Sequence, residues 1–270
     1  MDNLKNFFAS QRDFFKSSTL VILFILIIAQ FLSTILKVTI IPVFVSIAVT
    51  LFCLVYLWLV ERKDSEHLKQ LNLKLFKAQE DLKTNHVETI LSLALTQEAK
   101  DSYTYGHSER VKQYALVIAR ELGLPKEEME IIARGAKLHD IGKVGIKDEV
   151  LFCKGKLTEE QMVIIKTHPK KGVMILEPLK FLNDEKMIVC HHHERYDGKG
   201  YPDGLKGEEI PLGARIVCVA DAFDAMRSQR SYRESLTKEK IIVQLMSAAG
   251  TQFDPKVINA LVTNIDKLYV

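Results

Sequence analysis

Between Ser17 and Val60 the only formal charge is Lys37. As one straight helix, residues 17–60 would run about 66 Å, roughly twice the ~30 Å hydrocarbon core of a bilayer. A single span is therefore excluded. Lys37, flanked by Ser33, Thr34, Thr39 and Pro42, is the natural place to turn. The pattern predicts a transmembrane hairpin over 17–60, with spans near 18–36 and 39–60. A cleaved signal peptide fits poorly, because the apolar stretch is too long and no small-residue cleavage site appears. Lys5, Arg12 and Lys16 precede the first span, and Arg62, Lys63 and Lys69 follow the second. Cations at both outer ends put both ends in the cytoplasm, with Lys37 across the membrane. In residues 1–16, Phe7, Phe8, Phe14 and Phe15 are interleaved with cations, as in an amphipathic interfacial segment.

The remainder is charged and conventional. Residues 61–270 carry 33 Lys/Arg against 32 Asp/Glu, which excludes a strongly basic nucleic-acid binder. An apolar content of 47% excludes a disordered chain. Cys53, Cys153, Cys190 and Cys218 form no CxxC pair, which argues against a disulfide scaffold or a structural zinc finger. Residues 61–98 contain no Gly or Pro and read as one polar linker helix. There Leu68, Leu71, Leu75, Ala78 and Leu82 alternate steps of three and four, the seam of a short coiled coil that could pair two copies.

Residues 99–270 read as all-α. Val111, Tyr114, Ala115, Ile118 and Leu122 form a helical stripe that stops at Gly123, before Pro125 opens the next helix. Met129, Ile132, Ala136 and His139 share a face that carries His139 inward. Ile216–Ala220 is β-branched, but 214–226 as a whole suits a buried helix. Six of the eight histidines fall between His107 and His193, and they include the doublet His139-Asp140 and the run His191-His192-His193. An adjacent imidazole and carboxylate at a helix end can bind one metal through nitrogen while the carboxylate bridges to a second. Imidazole with carboxylate suits Mn, Fe, Co, Ni or Zn.

His139-Asp140-Ile141-Gly142-Lys143 resembles the signature of the HD superfamily of metal-dependent phosphohydrolases. His192-His193-Glu194-Arg195-Tyr196-Asp197-Gly198-Lys199-Gly200-Tyr201-Pro202 resembles the second signature of its HD-GYP subfamily. Asp221–Met226, then Arg230-Ser231-Tyr232-Arg233, is similar to that subfamily's next block, and Gly250–Pro255 to its terminal block. The similarity runs in register from about Asp101 to Val262.

The resemblance implies an HD-type helical bundle in a cytoplasmic phosphodiesterase that opens cyclic di-GMP to linear pGpG, GMP or both. It implies His107, His139, Asp140, His168, His192, His193 and Asp221 as metal positions, with Asp140 as the bridge. The expected cofactors are two divalent ions, iron or manganese first, with nickel, cobalt or zinc as alternatives. Such a pair can hold a hydroxide and clamp both sides of an in-line displacement. The catalytic pair would be Asp140 and Lys143, with Lys143 neutralising a non-bridging phosphate oxygen. Arg230 and Arg233 would contact guanine and phosphate, whose shapes suit the arginine fork, and Tyr201 would also touch substrate. His191 is extra to the pattern and reads as a supporting residue. Cys190 and Cys218 read as small buried residues.

The family also implies a lid or docking role for the Gly200-Tyr201-Pro202 loop, with a GGDEF-domain diguanylate cyclase as a partner. Together with the hairpin, these features place the chain as a multi-pass protein of a bacterial inner membrane. Tyr103 stands where some relatives carry an acidic ligand to a third metal, so two ions are expected. Lys147, Cys153-Lys154, Arg227 and Ser231 also depart from the family pattern, which leaves substrate preference open between cyclic di-GMP and another cyclic dinucleotide such as cyclic GMP-AMP. A receptor that binds the dinucleotide without turnover, or a partner-docking module, is the alternative from another class. A different HD phosphohydrolase, acting on mononucleotides, fits the Gly200-Tyr201-Pro202 block less well.

Overall fold

The computed structural model describes residues 23–32, 34–35, 41–99, 106–153, 155–228 and 235–269. Every regular element among the described residues is helical, as expected; one isolated bridge joins Ala249 to Phe253. The segment 1–16, the turn at Lys37, and the positions Tyr103, Lys154, Arg230, Ser231 and Arg233 lie outside the described residues.

Leu23–Leu32 forms a short apolar helix, α1. Ile41–Ala99 is one continuous helix of 59 residues, α2, about 88 Å long at 1.5 Å per residue. The second expected span and the expected linker are therefore one element. Pro42 lies in its first turn, where a missing N–H costs nothing, and no Gly or Pro interrupts it afterwards. Its apolar part, beginning at Val43, is long enough to cross a membrane and is unburied. Phe44, Phe52 and Trp58 are each more than half exposed, as are the seam residues Leu75 and Leu82.

The chain divides into two compact units, Met1–Leu82 and Lys83–Val270. The second unit holds α3 (His107–Glu121), α4 (Lys126–Leu138), α5 (Asp148–Leu151), α6 (Glu159–Ile165), α7 (His168–Leu176), α8 (Asn183–His191), α9 (Leu212–Arg227), α10 (Lys238–Ser247) and α11 (Pro255–Thr263). The α3 stripe behaves as its spacing predicts: Val111, Tyr114, Ala115 and Ile118 are buried against Ile132, Ile216, Phe223, Ile258 and Leu261. Gly123 takes a left-handed φ of 73° just past α3, which lets the chain reverse toward α4. The β-branched run 216–220 lies inside α9.

A second apolar cluster joins Leu138, Ile141, Leu176, Leu182 and Val189 to Val87, Ile90, Leu91 and Ala94 from the end of α2. The end of α2 from Lys83 onward belongs to this unit. Leu93 and Leu95 on the same turns are exposed, so apolar content there does not by itself mark the face that packs.

Candidate metal centre

The candidate ligands come from helix ends. His107 opens α3, His139 caps the C-terminus of α4, His168 opens α7, and His192 and His193 follow α8; Asp221 lies within α9. Asp140 precedes a 3-10 turn, Ile141–Gly145. Gly142 in that turn is required by a close approach, since a Cβ there would lie 1.9 Å from the His168 carbonyl oxygen. The turn and the start of α7 are thereby held together.

Three rings are oriented in the same way. The Nδ1 atoms of His139, His168 and His192 lie 2.7, 2.8 and 2.8 Å from the carbonyls of Ala136, Ile165 and Val189, each three residues back. An Nδ1–H donated to a carbonyl leaves Nε2 as the lone-pair nitrogen, the tautomer a metal ligand needs. His139 Nε2 is buried without a hydrogen-bond partner. His168 and His192 bring their Nε2 atoms within 3.3 Å of each other. Two such lone pairs repel unless a cation or a proton lies between them.

All seven expected positions are brought together, in two groups whose donor atoms each converge within 4.8 Å: Asp140 with His168, His192 and His193, and His107 with His139 and Asp221. Asp140 divides its carboxylate between them. Oδ1 is 3.3 Å from His168 Nε2 and Oδ2 is 3.3 Å from His139 Nε2. His107 stands between two acids, with Nε2 3.3 Å from Asp221 Oδ1 and Nδ1 2.8 Å from Asp224 Oδ2. The orphaned His139 nitrogen and the facing Nε2 pair fit divalent cations, and the imidazole–carboxylate donor set suits first-row transition metals.

Electrostatics separate the two groups. Burial opposes a charged His107, but Asp221 and Asp224 outweigh it and hold the ring's pKa up to about 10. His139 is also raised, Asp140 overcoming burial. Burial pushes His168 and His192 down, and His193 to about 4. Asp140 and Asp221 are held below the usual carboxylate range against the cost of burial, Asp140 by Lys143 and His139, Asp221 by His107.

Residues 93–257 match the family described as the HD domain. The chain belongs to the HD-domain family. It is 43% identical over 206 residues to the cyclic di-GMP phosphodiesterase response regulator RpfG of Xanthomonas campestris pv. campestris, covering 74% of this chain and 54% of that one. It is 38% identical over 189 residues to 3'3'-cGAMP-specific phosphodiesterase 2 of Vibrio cholerae, covering 69% and 36%. The chain thus spans between about a third and a little over half of these relatives. In fold, the HD domain matches the crystal structure of a cyclic GMP-AMP-specific phosphodiesterase of Vibrio cholerae, V-cGAP3, with a TM-score of 0.52 at 21% identity, over 67% of this chain and 48% of that one.

Other signature residues of the HD domain frame the centre. Lys143 donates from Nζ to Asp140 Oδ2. Beside this pair an open cavity is lined by Asp140, Lys143, Gln97 and Phe152, among others. Tyr201 stacks on His193 with ring centroids 4.9 Å apart. The terminal block buttresses this loop: Tyr196 and Asp197 donate their N–H groups to the carbonyls of Gln252 and Thr251 at 3.2 and 2.8 Å. Arg227, which departs from the family pattern, bonds the Tyr114 hydroxyl at 3.1 Å and lies 4.5 Å over the Tyr269 ring. His191 belongs to neither ligand group.

Asp224, inside the Asp221–Met226 block but given no role by sequence, and Glu98, which sequence did not single out, both act at His107. Asp224 orients His107 and is itself held by Arg110, whose Nε and Nη2 reach it at 2.7 and 3.0 Å. Its signal was spacing: it lies three residues after Asp221, on the same helix face. Glu98, near the end of α2, accepts hydrogen bonds from the backbone N–H and hydroxyl of Ser108, next to His107. Nothing in the local sequence marks that contact.

Proposed function

We propose that this HD-domain protein is a membrane-anchored, metal-dependent phosphodiesterase that hydrolyses cyclic di-GMP to linear pGpG, GMP or both. The observation that carries the reading is the divided carboxylate of Asp140, with one oxygen toward each imidazole group. In it, His107, His139 and Asp221 would hold one divalent ion and His168, His192 and His193 a second, with the Asp140 carboxylate shared between the two groups. Iron or manganese suits these donors best, with nickel, cobalt or zinc as alternatives. When bound, the ions supply Lewis acidity to a water and to the phosphodiester.

The chain's own residues do the rest. The carbonyls behind His139, His168 and His192 keep each Nε2 free for ligation. Lys143, at the edge of the cavity, turns from Asp140 to a non-bridging phosphate oxygen and neutralises its charge. Tyr201 braces His193 and borders the substrate, and Arg230 and Arg233 take the guanine and phosphate roles that the family implies. The unburied apolar surface of α2 supports anchoring in a bacterial inner membrane, as a hairpin with its turn at Lys37 and both ends cytoplasmic. The exposed leucines over 61–98 support pairing with a second copy, and the loop at Tyr201 is the docking place for a GGDEF-domain partner.

The test is turnover by the full chain in detergent, loaded with manganese or with iron under anaerobic conditions. Linearisation of cyclic di-GMP is the expected result, and no turnover with any transition metal rejects the reading. One named relative acts on cyclic GMP-AMP, so a competition between the two dinucleotides decides preference.

A further inference from the structure

Cys190, His191 and Asp203 form a third donor cluster outside both ligand groups, with one donor atom from each converging within 4.8 Å. Cys190 and His191 end α8, and Asp203 comes from the loop that carries Tyr201. His191 is only 5% exposed, and its Nδ1 has no hydrogen-bond partner. That nitrogen is aimed at two carboxylates, 3.8 Å from Asp203 Oδ2 and 3.8 Å from Glu194 Oε1. The gap is too long for a hydrogen bond.

Neighbouring groups hold the gap open. Lys170 Nζ lies 3.1 Å from Asp203 Oδ1, which leaves Oδ2 toward the ring. Glu194 Oε1 accepts the backbone N–H groups of Asp203 and Gly204 at 2.7 and 3.0 Å, which fixes the loop's distance from α8. With metal–ligand bonds of about 2.0–2.3 Å, tetrahedral ligand atoms stand roughly 3.3–3.7 Å apart. The 3.8 Å from His191 Nδ1 to Asp203 Oδ2 needs only a few tenths of an ångström of closure, and the Cys190 sulfur, within 4.8 Å of the other donors, at most about 1 Å.

We propose that Cys190, His191 and Asp203 bind a divalent cation of the zinc class, with Glu194 or a water as the fourth ligand. Thiolate, imidazole and carboxylate together match zinc's preferences. The Cys190 thiol gives its proton to solvent as the sulfur takes the cation. Bound there, the ion fastens the loop bearing Tyr201 to the end of α8, and so sets the ring that stacks on His193. The site is separate from the candidate centre, whose donors are all imidazole and carboxylate.

That difference in donors supplies the test, which reads sulfur ligation and is independent of turnover. Cobalt(II) is titrated into the metal-free full chain in detergent. A near-ultraviolet thiolate-to-cobalt charge-transfer band is expected, lost in Cys190→Ser, weakened in Asp203→Asn and retained in Asp140→Ala. Zinc analysis should give one more ion per chain in the wild type than in Cys190→Ser. A wild type without the band, leaving only a water between His191 and the carboxylates, overturns the proposal. So does a band that survives Cys190→Ser, a band lost in Asp140→Ala, or an equal zinc count. Asp203 lies on a loop with its side chain 41% exposed, so Asp203→Asn decides the matter even where Cys190→Ser does not fold.

Discussion

Asp224 Oδ2 lies 2.8 Å from His107 Nδ1, on the far side of the ring from the nitrogen that faces Asp221. This is the outer partner that fixes a ligating imidazole's tautomer and raises its basicity. Asp224→Asn keeps the volume and one acceptor but removes the charge. Metal binding at the His107 group is expected to weaken about 10- to 100-fold, measured by chelator competition, with the helical circular-dichroism signal retained. Unchanged affinity would show that His107 is oriented by something else.

The two groups should differ in proton release. In the metal-free protein His107, with a pKa of about 10, carries a proton at neutral pH, and Asp140 raises His139 above its ordinary value. His168, His192 and His193 are neutral there. A cation entering the His107 group must displace protons, so its affinity rises with pH up to about 10; the other group's affinity is flat across the neutral range. Calorimetry in buffers of different ionisation heat should show one proton-coupled phase and one without coupling. Equal proton release in both phases would contradict the assignment. By linkage, the raised His107 stabilises the metal-free fold fully below its unfolded value of 6.5, and that contribution is lost as pH rises through about 10.

How far the sequence could be read follows from which contacts are local. The Gly123 stop and the α9 helix were legible because local spacing carries them, whereas the grouping of the histidines was what the family resemblance implied. The bond from Asp224 to His107 joins residues 117 apart in sequence, and only packing of α3 on α9 creates it. Glu98 and the Val87–Ala94 stripe were hidden for another reason: they belong to a polar helix whose burial is decided by its neighbours. His191 read as a supporting residue because its role depends on which way its ring faces at the end of α8.

Asp140 and Lys143 are bonded to each other, yet substitution should separate their roles. Asp140→Ala removes the divided carboxylate, so turnover and metal retention should be lost together. Lys143→Ala should leave the metal content unchanged and slow turnover by roughly 10²–10³, the scale of one lost transition-state charge contact. Metal analysis beside kcat distinguishes them, and metal loss in Lys143→Ala would contradict the role given to it.

Gly142→Ala tests the close approach between the turn and α7. The new Cβ would meet the His168 carbonyl oxygen at 1.9 Å and the Gly172 nitrogen at 2.5 Å. Both are backbone atoms, so relief requires moving the segment that holds His168. A loss of at least about 1–3 kcal/mol is expected, the scale of overpacking, together with weaker metal binding at the His168 group. Denaturant unfolding of the metal-free protein checks the first and chelator competition the second.

Truncation tests where the folded unit starts. A chain beginning at Lys83 keeps Val87, Ile90, Leu91 and Ala94 over Leu138, Ile141, Leu176 and Leu182, and keeps Glu98 bonded to Ser108. A chain beginning at Asp101 uncovers that cluster and removes the Glu98 contact beside His107. Each large apolar side chain returned to water costs about 1.5–3 kcal/mol, so losing three or four consumes most of a domain's usual stability of about 5–15 kcal/mol. Residues 83–270 should therefore unfold cooperatively, and residues 101–270 should show no cooperative thermal transition. A transition of equal midpoint in the shorter chain would mean that the end of α2 rests on the unit without supporting it.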